Sequence, residues 1–529
     1  MPPPQRAHLP ARLLSSDTVT DEATSDDATT PLLAKAIAAK EATLDEARPT
    51  AVARQHARGR WTARERIAAL FDPETFVEYG QLALPQIRSL GDAPADGLVM
   101  GVGRVDGVAV CAFTYDYTVM GGSQSPTNHR KVDRMMEVAE RNRWPVIFWS
   151  EGAGARATEL FYDSGTVTTF IQLARLSGLV PIVTILSGPS FAGQANIAGT
   201  SDVVIATKDS TLGISGPPLV RSATGEDLTP EELGPVSMHE RVGTIELVVD
   251  DETAALQTAR RYLSYFTDVA TPPPPAAADQ TPLRTMVPEN PRRAYDVRKI
   301  VEILADEGSV LELRPRFGRC LSTSLCRIDG HPIGVLANNP MFGAGAIDAE
   351  GSAKFSRHVE LCNAYDLPLL FLCDTPGFMI GTAAEKSALV RHSARTLVAL
   401  SAVDVPILTV ILRKAYGLGY YAMGSDALNP DLYVGWPTAE FGGMGLEGAV
   451  NIVFRDELEA APDDAIRREI QDRRVAEWKE RNTGLEFARS FLLDDIVDPA
   501  ATRDLIARLL ATLPTPQPRE RRKHPIDPW

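Results

Sequence analysis

The sequence has few cysteines and no spacing that would arrange them into a metal site or a disulfide scaffold. The five cysteines are Cys111, Cys320, Cys326, Cys362 and Cys373, and no two of them form a C-x-x-C motif. This pattern argues against a zinc ribbon and against a small disulfide-stabilised domain. We expect no metal in this chain, and we expect a cytoplasmic location, where scattered thiols stay reduced.

Long apolar runs and excess positive charge are also missing. The most apolar candidate segment, residues 398–412, is interrupted by Asp404 and Pro406, so no membrane span is expected. The chain has 54 basic and 69 acidic residues and a formal net charge of −15. This balance argues against a nucleic-acid partner and a basic membrane-surface protein, although it is compatible with a local basic pocket for a phosphate.

Three common catalytic or nucleotide-binding motifs are absent. The sequence has no G-x-x-x-x-G-K-[ST] loop and no G-x-S-x-G elbow, and the run from Gly101 to Asp106 lacks the third glycine of a dinucleotide fingerprint. These absences argue against a P-loop enzyme, an α/β-hydrolase and a Rossmann dehydrogenase.

Isolated titratable residues give no clear acid or base. We interpret the dispersed histidines His129, His239 and His392 as structural or surface residues. The carboxylates that remain candidates are Asp202, Glu226, Asp374 and Glu385. Most of them are better explained as helix caps or ion pairs. Asp374 is the best placed because it follows an apolar strand, but the corresponding residue of a second copy, Glu151, indicates that the position serves as a cap.

Length and composition predict a globular protein of several domains. The chain has 529 residues, of which 44% are hydrophobic, with 39 glycines and 39 prolines. Composition predicts the following division: a disordered tail over 1–30, an N-terminal domain over 31–270, a Pro-rich linker over 271–282, a C-terminal domain over 283–513 and a tail over 514–529.

The two halves resemble each other. When the chain is aligned with itself at an offset of 223 residues, ten of the 51 positions from Arg104 to Gly154 are identical. Unrelated sequences would give about three matches at average residue usage. Lys131 pairs with Lys354 in this alignment, and Gly154 pairs with Gly377. The period is far too long for a solenoid, so the pattern indicates two homologous domains.

Each copy alternates strands with helices. A hairpin-like pair of strands precedes a glycine-rich loop, an amphipathic helix and a buried strand, Pro145–Trp149 in the first copy and Pro368–Leu372 in the second. This order predicts an α/β domain with a mostly parallel core.

Glycine-rich turns follow several predicted strands. They are 152–154, 188–189 with 193–195, and 416–420. A turn between a parallel strand and a helix exposes backbone N–H groups, and the helix dipole adds partial positive charge there. Such turns can hold a phosphate or a developing oxyanion. Without an evident side-chain base, the pattern favours stabilisation of an enolate by the backbone.

Seven motifs together make the chain resemble a known enzyme family. They are ARERIAALFDP (63–73), VMGGS (119–123), TGEDLTPEELG (224–234), AGAIDAEGSAKFSRHV (344–359), TPGFMIGTAAE (375–385), RKAYGLGYYAMG (413–424) and WPTAEFGGMG (436–445). Over residues 31–515, the chain resembles the carboxyltransferase (beta) subunit of biotin-dependent acyl-CoA carboxylases of the propionyl-CoA and acetyl-CoA type. The resemblance implies two homologous crotonase-like (ClpP/crotonase) α/β domains, which agrees with the internal repeat.

The resemblance also implies a mechanism. Carboxybiotin on a partner protein supplies carboxylate beside the C-terminal domain, and acyl-CoA binds the N-terminal domain of a facing subunit. The released ureido nitrogen removes the α-proton, and the enolate then attacks CO₂. The family's oxyanion pairs fall on Ala153 and Gly154 for the thioester and on Leu418 and Gly419 for the biotin carbonyl.

The matching positions for substrate binding are Gly121, Gly122 and Tyr421. The chain departs from the family at two turns, because Ala153 replaces a glycine, and Leu418 and Gly419 replace a Gly-Ala pair. Tyr421 occupies a position that helps select acyl size, so the acyl group stays open.

The chain carries no biotin-attachment motif and no ATP-binding carboxylase domain that we recognise. The resemblance therefore implies a biotinylated α subunit as partner and a homo-oligomer or mixed hexamer of β-type subunits, acting in fatty acid metabolism. Two alternatives stay open. One is the α subunit of a biotin-dependent acyl-CoA decarboxylase coupled to a membrane pump. The other is a non-catalytic scaffold paralogue in a mixed carboxylase complex, which the replacements at Ala153 and Leu418 would suit.

Overall fold

The structure is a computed structural model, and it describes residues 30–87, 90, 93–159, 167–267, 275–290, 293–514 and 524–529. The predicted tail at 1–30 lies outside the described residues except for Thr30, as do residues 271–274 of the predicted linker and 515–523 of the predicted C-terminal tail. In the described part of the chain, no helix is long and apolar enough to cross a lipid bilayer.

Two eight-stranded sheets form the framework. The first sheet consists of β1 (Val77–Glu78), β2 (Leu98–Val105), β3 (Val108–Tyr115), β4 (Val146–Gly152), β5 (Ile182–Phe191), β6 (Val203–Thr207), β7 (Thr211–Gly213) and β8 (Leu247–Val249). The second sheet consists of β9 (Leu311–Leu313), β10 (Leu321–Ile328), β11 (His331–Asn338), β12 (Leu369–Thr375), β13 (Ile407–Tyr416), β14 (Leu432–Gly435), β15 (Glu440–Gly442) and β16 (Asp495–Ile496).

Helices connect and cover these strands. Before and within the first sheet they are α1 (Pro31–Glu41), α2 (Pro49–His56), α3 (Ala63–Leu70), α4 (Pro126–Asn142), α5 (Thr169–Leu176), α6 (Gly193–Thr200), α7 (Pro217–Thr224), α8 (Pro230–Leu233), α9 (Val236–Arg241) and α10 (Glu252–Ser264). In the second half they are α11 (Leu283–Met286), α12 (Val297–Leu304), α13 (Ala349–Ala364), α14 (Thr382–Lys386), α15 (Leu389–Ser401), α16 (Gly417–Ala422), α17 (Leu446–Val453), α18 (Arg455–Glu459), α19 (Asp464–Arg481), α20 (Gly484–Arg489) and α21 (Thr502–Leu510).

The two sheets have the same topology. The first has the order β1-β2-β3-β4-β5-β6-β8, with β7 beside β5, and the second has β9-β10-β11-β12-β13-β14-β16, with β15 beside β13. In each sheet an antiparallel hairpin, β2–β3 or β10–β11, leads into parallel strands. The prediction of two homologous α/β domains is therefore confirmed.

Local sequence explains why α4 forms where it does. Ser125 and Asn128 make a reciprocal capping box at its start, and Pro126 occupies the first helical position, where no N–H is needed. One face of the helix then packs against the sheet through Val132, Met135, Met136, Val138 and Ala139, all of which are buried. This spacing is the predicted helical periodicity.

Two buried lysines at equivalent positions of the two halves bind backbone carbonyls. Lys131 Nζ donates to the carbonyls of Ala95 (2.7 Å) and Leu98 (2.5 Å). Its repeat counterpart, Lys354, donates to three carbonyls at 2.8–3.1 Å: those of Arg314 and Phe317, which precede β10, and that of Leu321 at its start. Burial lowers the pKa of each ammonium group to about 8. Both lysines hold irregular backbone against the first strand of a hairpin.

The hairpin turns are also held in the same way. Asp72 accepts hydrogen bonds from the N–H groups of Asp106 and Gly107. Asp306 accepts the equivalent bonds from Asp329 and Gly330 at 2.9 and 2.8 Å. The internal repeat therefore extends beyond the aligned window to the aspartates that stabilise each turn.

Polar side chains join the two halves. Arg357 of α13 donates from Nη2 to the carbonyls of Ser201 (2.8 Å) and Asp202 (2.9 Å) in the first half. Tyr365 donates its hydroxyl to Asp202 Oδ2 at 2.6 Å. Glu246 pairs with Arg314 at 2.9 Å. These contacts lie beside a continuous apolar core to which both sheets contribute.

The segment 524–529 packs across this junction. The Ile526 side chain is buried in the shared core, and its backbone N–H donates to Ser177 Oγ at 3.0 Å. The carbonyl of Asp527 accepts from Arg357 Nη1 at 2.8 Å. Trp529 makes an edge contact with the Phe317 ring. The segment therefore contacts residues of both halves.

Asp202 makes the stability of the junction depend on pH. Burial raises the pKa of its carboxyl to about 6, and one of its oxygens, Oδ1, has no hydrogen-bond partner. The folded state therefore favours the protonated acid, and its stability falls as pH rises from about 4 through 6.

We expect Asp202→Asn to remove this loss. Its amide keeps an acceptor for Tyr365 and Ile182 but cannot ionise. The gain in stability over wild type should be small at pH 4.5 and on the order of 2–3 kcal/mol at pH 7.5. Thermal unfolding of both proteins across this range measures the difference. The nearby charges of Arg357 and Glu246 are common to both, so a pH-independent difference would contradict the assignment.

Candidate active site

The first group of predicted site residues lies where β4 ends. Gly121 and Gly122 contact the turn formed by Ala153 and Gly154, and the Ala153 N–H donates to the Gly121 carbonyl at 3.0 Å. A Cβ on Gly122 would lie 2.1 Å from the Glu151 carbonyl oxygen. Because Gly122 and Gly154 also have positive φ, this packing requires glycine at both positions.

Two glutamines fix this turn, one through its side chain and one through its backbone. Gln194 Nε2 donates to the Gly122 carbonyl at 2.8 Å, and its Oε1 accepts from Ser150 Oγ at 2.6 Å. The backbone N–H of Gln124 donates to the Gly154 carbonyl at 2.6 Å, and its side chain donates to the Tyr115 hydroxyl at 2.9 Å. Both glutamines are buried, so these bonds hold them in place.

The turn after β5 lies directly against the turn after β4. A Cβ on Gly154 would lie 2.7 Å from Ala192 Cβ and 3.0 Å from the Phe191 carbonyl oxygen. Ala192 has φ +55°, a left-handed conformation that costs free energy in a non-glycine residue. It precedes α6, whose start has no side-chain cap. The sequence predicts the turn at 193–195, but this contact with the turn after β4 has no signal in it.

The second group of predicted residues lies at the start of α16. Gly419 packs on the turn after β12, since a Cβ on Gly419 would lie 2.7 Å from Gly377 Cα. Leu418 and Tyr421 have half-exposed side chains, at 50% and 48%. Tyr416, the last residue of β13, donates its hydroxyl to Glu440 Oε1 of β15 at 2.7 Å. The two glycine turns of this half therefore touch, as they do in the first half.

The two groups of residues belong to different sheets. Among the described residues, no hydrogen bond or ion pair joins the turns at 119–124, 151–156 and 191–194 to those at 374–378 and 416–421. Each half therefore presents its own pair of touching glycine turns.

Glu151 and Asp374 occupy equivalent buried positions, and their role differs from the predicted helix cap. Glu151 pairs with Arg66 at 2.7 Å and Arg60 at 3.0 Å. Asp374 pairs with Arg413 at 2.9 Å and accepts a hydrogen bond from the Tyr295 hydroxyl at 2.9 Å. Both carboxylates are held by arginine, as buried charges require, because an unpaired carboxylate would be costly. Neither is placed as a free acid or base.

The other titratable candidates are engaged in local structure or exposed. Asp202 lies at the junction of the halves, and Glu226 and Glu385 are exposed. His129 contacts Thr169 Oγ1 at 2.9 Å, and His239 contacts the Leu212 carbonyl at 2.7 Å. Burial lowers the pKa of both imidazoles. Within the described ranges, no group of three or more His, Cys, Asp or Glu side chains is placed to hold a metal ion.

Sequence reasoning did not single out Gln124 or Ala192 in these turns, and it named Gln194 and Gly377 only as parts of the turn at 193–195 and the motif at 375–385. Gly377 had a signal, because the internal repeat aligns it with Gly154. None of the ten identities between the two halves involves the two glutamines or Ala192, so the repeat gives no signal for them.

Comparison with known proteins identifies the family. Residues 54–525 match the model of the carboxyl transferase domain. The chain is 37% identical over 488 residues to the methylmalonyl-CoA carboxyltransferase 12S subunit of Propionibacterium freudenreichii subsp. shermanii, covering 89% of this chain and 92% of that protein. It is 33% identical over 470 residues to the methylmalonyl-CoA decarboxylase subunit alpha of Propionigenium modestum, covering 86% of this chain and 90% of that protein.

Solved structures give the same fold. A single-chain, multi-domain long-chain acyl-CoA carboxylase matches with a TM-score of 0.83 and 42% identity, over 91% of this chain and 49% of that one. The hexameric transcarboxylase 12S, with methylmalonyl-coenzyme A bound, matches with a TM-score of 0.83 and 36% identity, over 92% of this chain and 96% of that one. The crotonase-like fold expected from the sequence is confirmed. The chain therefore belongs to the carboxyl transferase family, whose enzymes transfer carboxyl groups to or from acyl-CoA.

Proposed function

We propose that this chain is the carboxyltransferase subunit of a biotin-dependent acyl-CoA carboxylase and transfers a carboxyl group to the α carbon of an acyl-CoA. The observation that carries the proposal is the pair of touching glycine turns at the ends of parallel strands in each half. Backbone N–H groups at such turns can stabilise an oxyanion without being consumed in the reaction.

The N-terminal half, 31–270, forms the acyl-CoA side in this proposal. Gly154 N–H has no acceptor among the described residues and is the ready donor to the thioester oxygen. Ala153 N–H is bonded to Gly121, so it acts as the second donor only when that bond is shared or released. Gly122 and Gln194 hold the turn so that these donors keep their positions.

The C-terminal half, 283–513, forms the biotin side. Carboxybiotin, when its carrier protein docks, supplies the carboxyl group and the basic ureido nitrogen that accepts the α-proton. The start of α16 can donate hydrogen bonds to the biotin carbonyl. No side chain caps this helix, and the N–H groups of Leu418 and Gly419 have no acceptor among the described residues. Leu418 and Tyr421 flank these donors and limit the size of what binds there.

A base supplied from outside the chain agrees with the state of the buried carboxylates. Glu151 and Asp374 are nearest to the turns in sequence, and both are bound by arginines. Such ion pairs occupy the lone pairs of the carboxylate, so it is poorly placed to remove a proton. The chain's own contribution is therefore to position the substrates and stabilise negative charge.

The placement of the proposed sites on different sheets is compatible with catalysis between subunits. The glycine turns of the two halves end strands of separate sheets, and transcarboxylase 12S is a hexamer. We assign this chain to a homo-oligomer or mixed hexamer of β-type subunits that works with a biotinylated α subunit in the cytoplasm. A decarboxylase α subunit is the second candidate, because a relative at 33% identity bears that name.

A carboxylation assay tests the assignment. The purified chain, its co-purifying biotinylated partner, ATP and labelled bicarbonate are incubated with acyl-CoAs ranging from acetyl to long-chain, branched and aromatic. Label fixed into one acyl-CoA establishes the activity and its substrate. If the partner carboxylates biotin but no acyl-CoA is labelled, the scaffold role is favoured. If the chain purifies with a membrane decarboxylase and releases CO₂ from a carboxyacyl-CoA, the decarboxylase role is correct.

We expect Gly154→Ala to lower kcat/KM for acyl-CoA by about 10²-fold, the usual effect of losing one oxyanion donor. The new methyl group would strain a residue at φ +87° and would meet Ala192, displacing the donor. Gly199→Ala, in open space on α6, is the matched control and should retain activity. Melting temperature and oligomer mass establish that the variants fold. Wild-type kinetics in a folded Gly154→Ala protein would refute the role.

Gly419→Val should affect the other substrate. Its Cβ would lie 2.7 Å from the Gly377 backbone, and its two methyl groups leave less room than the alanine that the family carries there, so α16 must shift. We expect the apparent KM for the carboxylated carrier to rise about tenfold or more while acyl-CoA binding is retained. Gly448→Val, at a position where a Cβ meets no atom within 4 Å, is the control. An equal loss for both substrates would show that the two sides are not separate as proposed.

A further inference from the structure

A cavity lined by arginines lies away from the glycine turns. It has a volume of about 320 Å³ and is lined by Arg241, Arg298, Pro315, Arg316 and Arg319. Arg241 comes from the end of α9 in the first half, and the other four residues come from the second half. Its volume lies at the small end of ligand pockets, which span about 300–1,000 Å³.

The positive charge of the cavity is only partly compensated. Arg298 is bound by Asp296 at 2.6 Å, and Arg316 lies 3.5 Å from Glu240. In the described part of the chain, no carboxylate forms an ion pair with Arg241 or Arg319. The cavity is thus lined by four guanidinium groups, of which two are ion-paired, in a protein of net charge −15. Glu302 and Glu312 also act on Arg298 through space. Like charges around one void repel each other, and a bound anion would relieve that repulsion.

The backbone that presents these arginines is fixed. The turn carrying Arg316 is held by Lys354 Nζ, which donates to the Arg314 and Phe317 carbonyls at 2.9 and 3.1 Å. The Arg314 guanidinium is in turn anchored to Glu246 at 2.9 Å. A preorganised set of donors loses little conformational entropy when it binds a ligand.

Arg319 is positioned by an aromatic ring. Its guanidinium carbon lies 3.8 Å from the centroid of the Phe342 ring. Stacking fixes the plane of a guanidinium and leaves its N–H groups available at the edge, which suits bidentate binding of a phosphate. Phe342 also precedes the turn 343–345, which contacts Asp374 in the second half.

We propose that this cavity binds a ligand carrying one or two phosphate groups. Arginine is the side chain best suited to this chemistry, since its planar fork matches two phosphate oxygens. The phosphates could belong to a CoA ester or to a free phosphorylated metabolite, and the two sources can be distinguished. The proposal does not depend on the proposed carboxyl transfer, because binding is measured without turnover.

Calorimetric titration of the full-length chain with inorganic pyrophosphate at low ionic strength tests the site. Wild type should show saturable binding with one site per chain. The double variant Arg241→Gln/Arg319→Gln should weaken it about tenfold or more, through loss of two charge-assisted contacts. The control is Arg455→Gln/Arg489→Gln, which changes the net charge equally at exposed arginines paired with Glu459 and Glu486. It should bind as wild type does.

Competition identifies the source of the phosphates. If CoA displaces pyrophosphate and pantetheine does not, and if the double variant also weakens CoA binding, the cavity holds the phosphates of CoA. If CoA and pyrophosphate bind together, the ligand is a separate phosphorylated metabolite.

Other outcomes overturn the proposal. No saturable binding by wild type, or an equal loss in the control variant, would mean that the arginines form no site. A change in oligomer mass in the double variant, without pyrophosphate binding by wild type, would show that another subunit's carboxylates cover the cavity. Loss of carboxylation with intact pyrophosphate binding would bear on the proposed function alone.

Discussion

The close approach of backbone to backbone at the ends of the parallel strands is the constraint on which the candidate site depends. Gly122 lies against Glu151, Gly154 against Ala192, and Gly419 against Gly377, each with no room for a Cβ. These contacts bring loops from different strands together without intervening side chains, so peptide N–H groups remain at the surface of the turns. The side-chain charges nearby, Glu151 and Asp374, are neutralised within the fold. The polarity of the site therefore comes from the peptide groups.

The duplicated fold repeats its supporting interactions as well as its strands. Lys131 and Lys354 bind carbonyls before equivalent hairpins, and the carboxylates of Asp72 and Asp306 close equivalent turns. These residues differ in sequence context but meet the same need, because irregular backbone buried beside a strand must have its carbonyls and N–H groups satisfied. Arg357, by contrast, contacts the other half, because it donates to the Ser201 and Asp202 carbonyls.

Much of this could be predicted from the sequence. The identities at an offset of 223 residues predicted two copies of one α/β fold, and the motifs around Gly154 and Gly419 marked the turns. Contacts between segments distant in sequence could not be predicted, because no local pattern encodes them. Thus the sequence around Gln194 does not show that its side chain reaches Gly122, and the cap predicted at Glu151 and Asp374 is in fact a pair of carboxylates bound by distant arginines. The arginine-lined cavity could not be predicted for the same reason, since its residues come from both halves.

The junction between the halves has a consequence for recombination of such duplicated proteins. The hydrogen bonds that shape each half, such as those of Lys131, Lys354 and the turn aspartates, are made within that half. The joint depends on polar contacts over a shared apolar core. They include those of Arg357, Tyr365, Asp202 and Glu246, and also those of Arg261, Tyr265 and Arg327 between the end of α10 and the second half. A half taken from a relative is therefore expected to be exchangeable as a unit if it keeps the residues that make these contacts. Under the proposed assignment of the two halves, such an exchange would vary acyl-CoA preference and carrier preference separately.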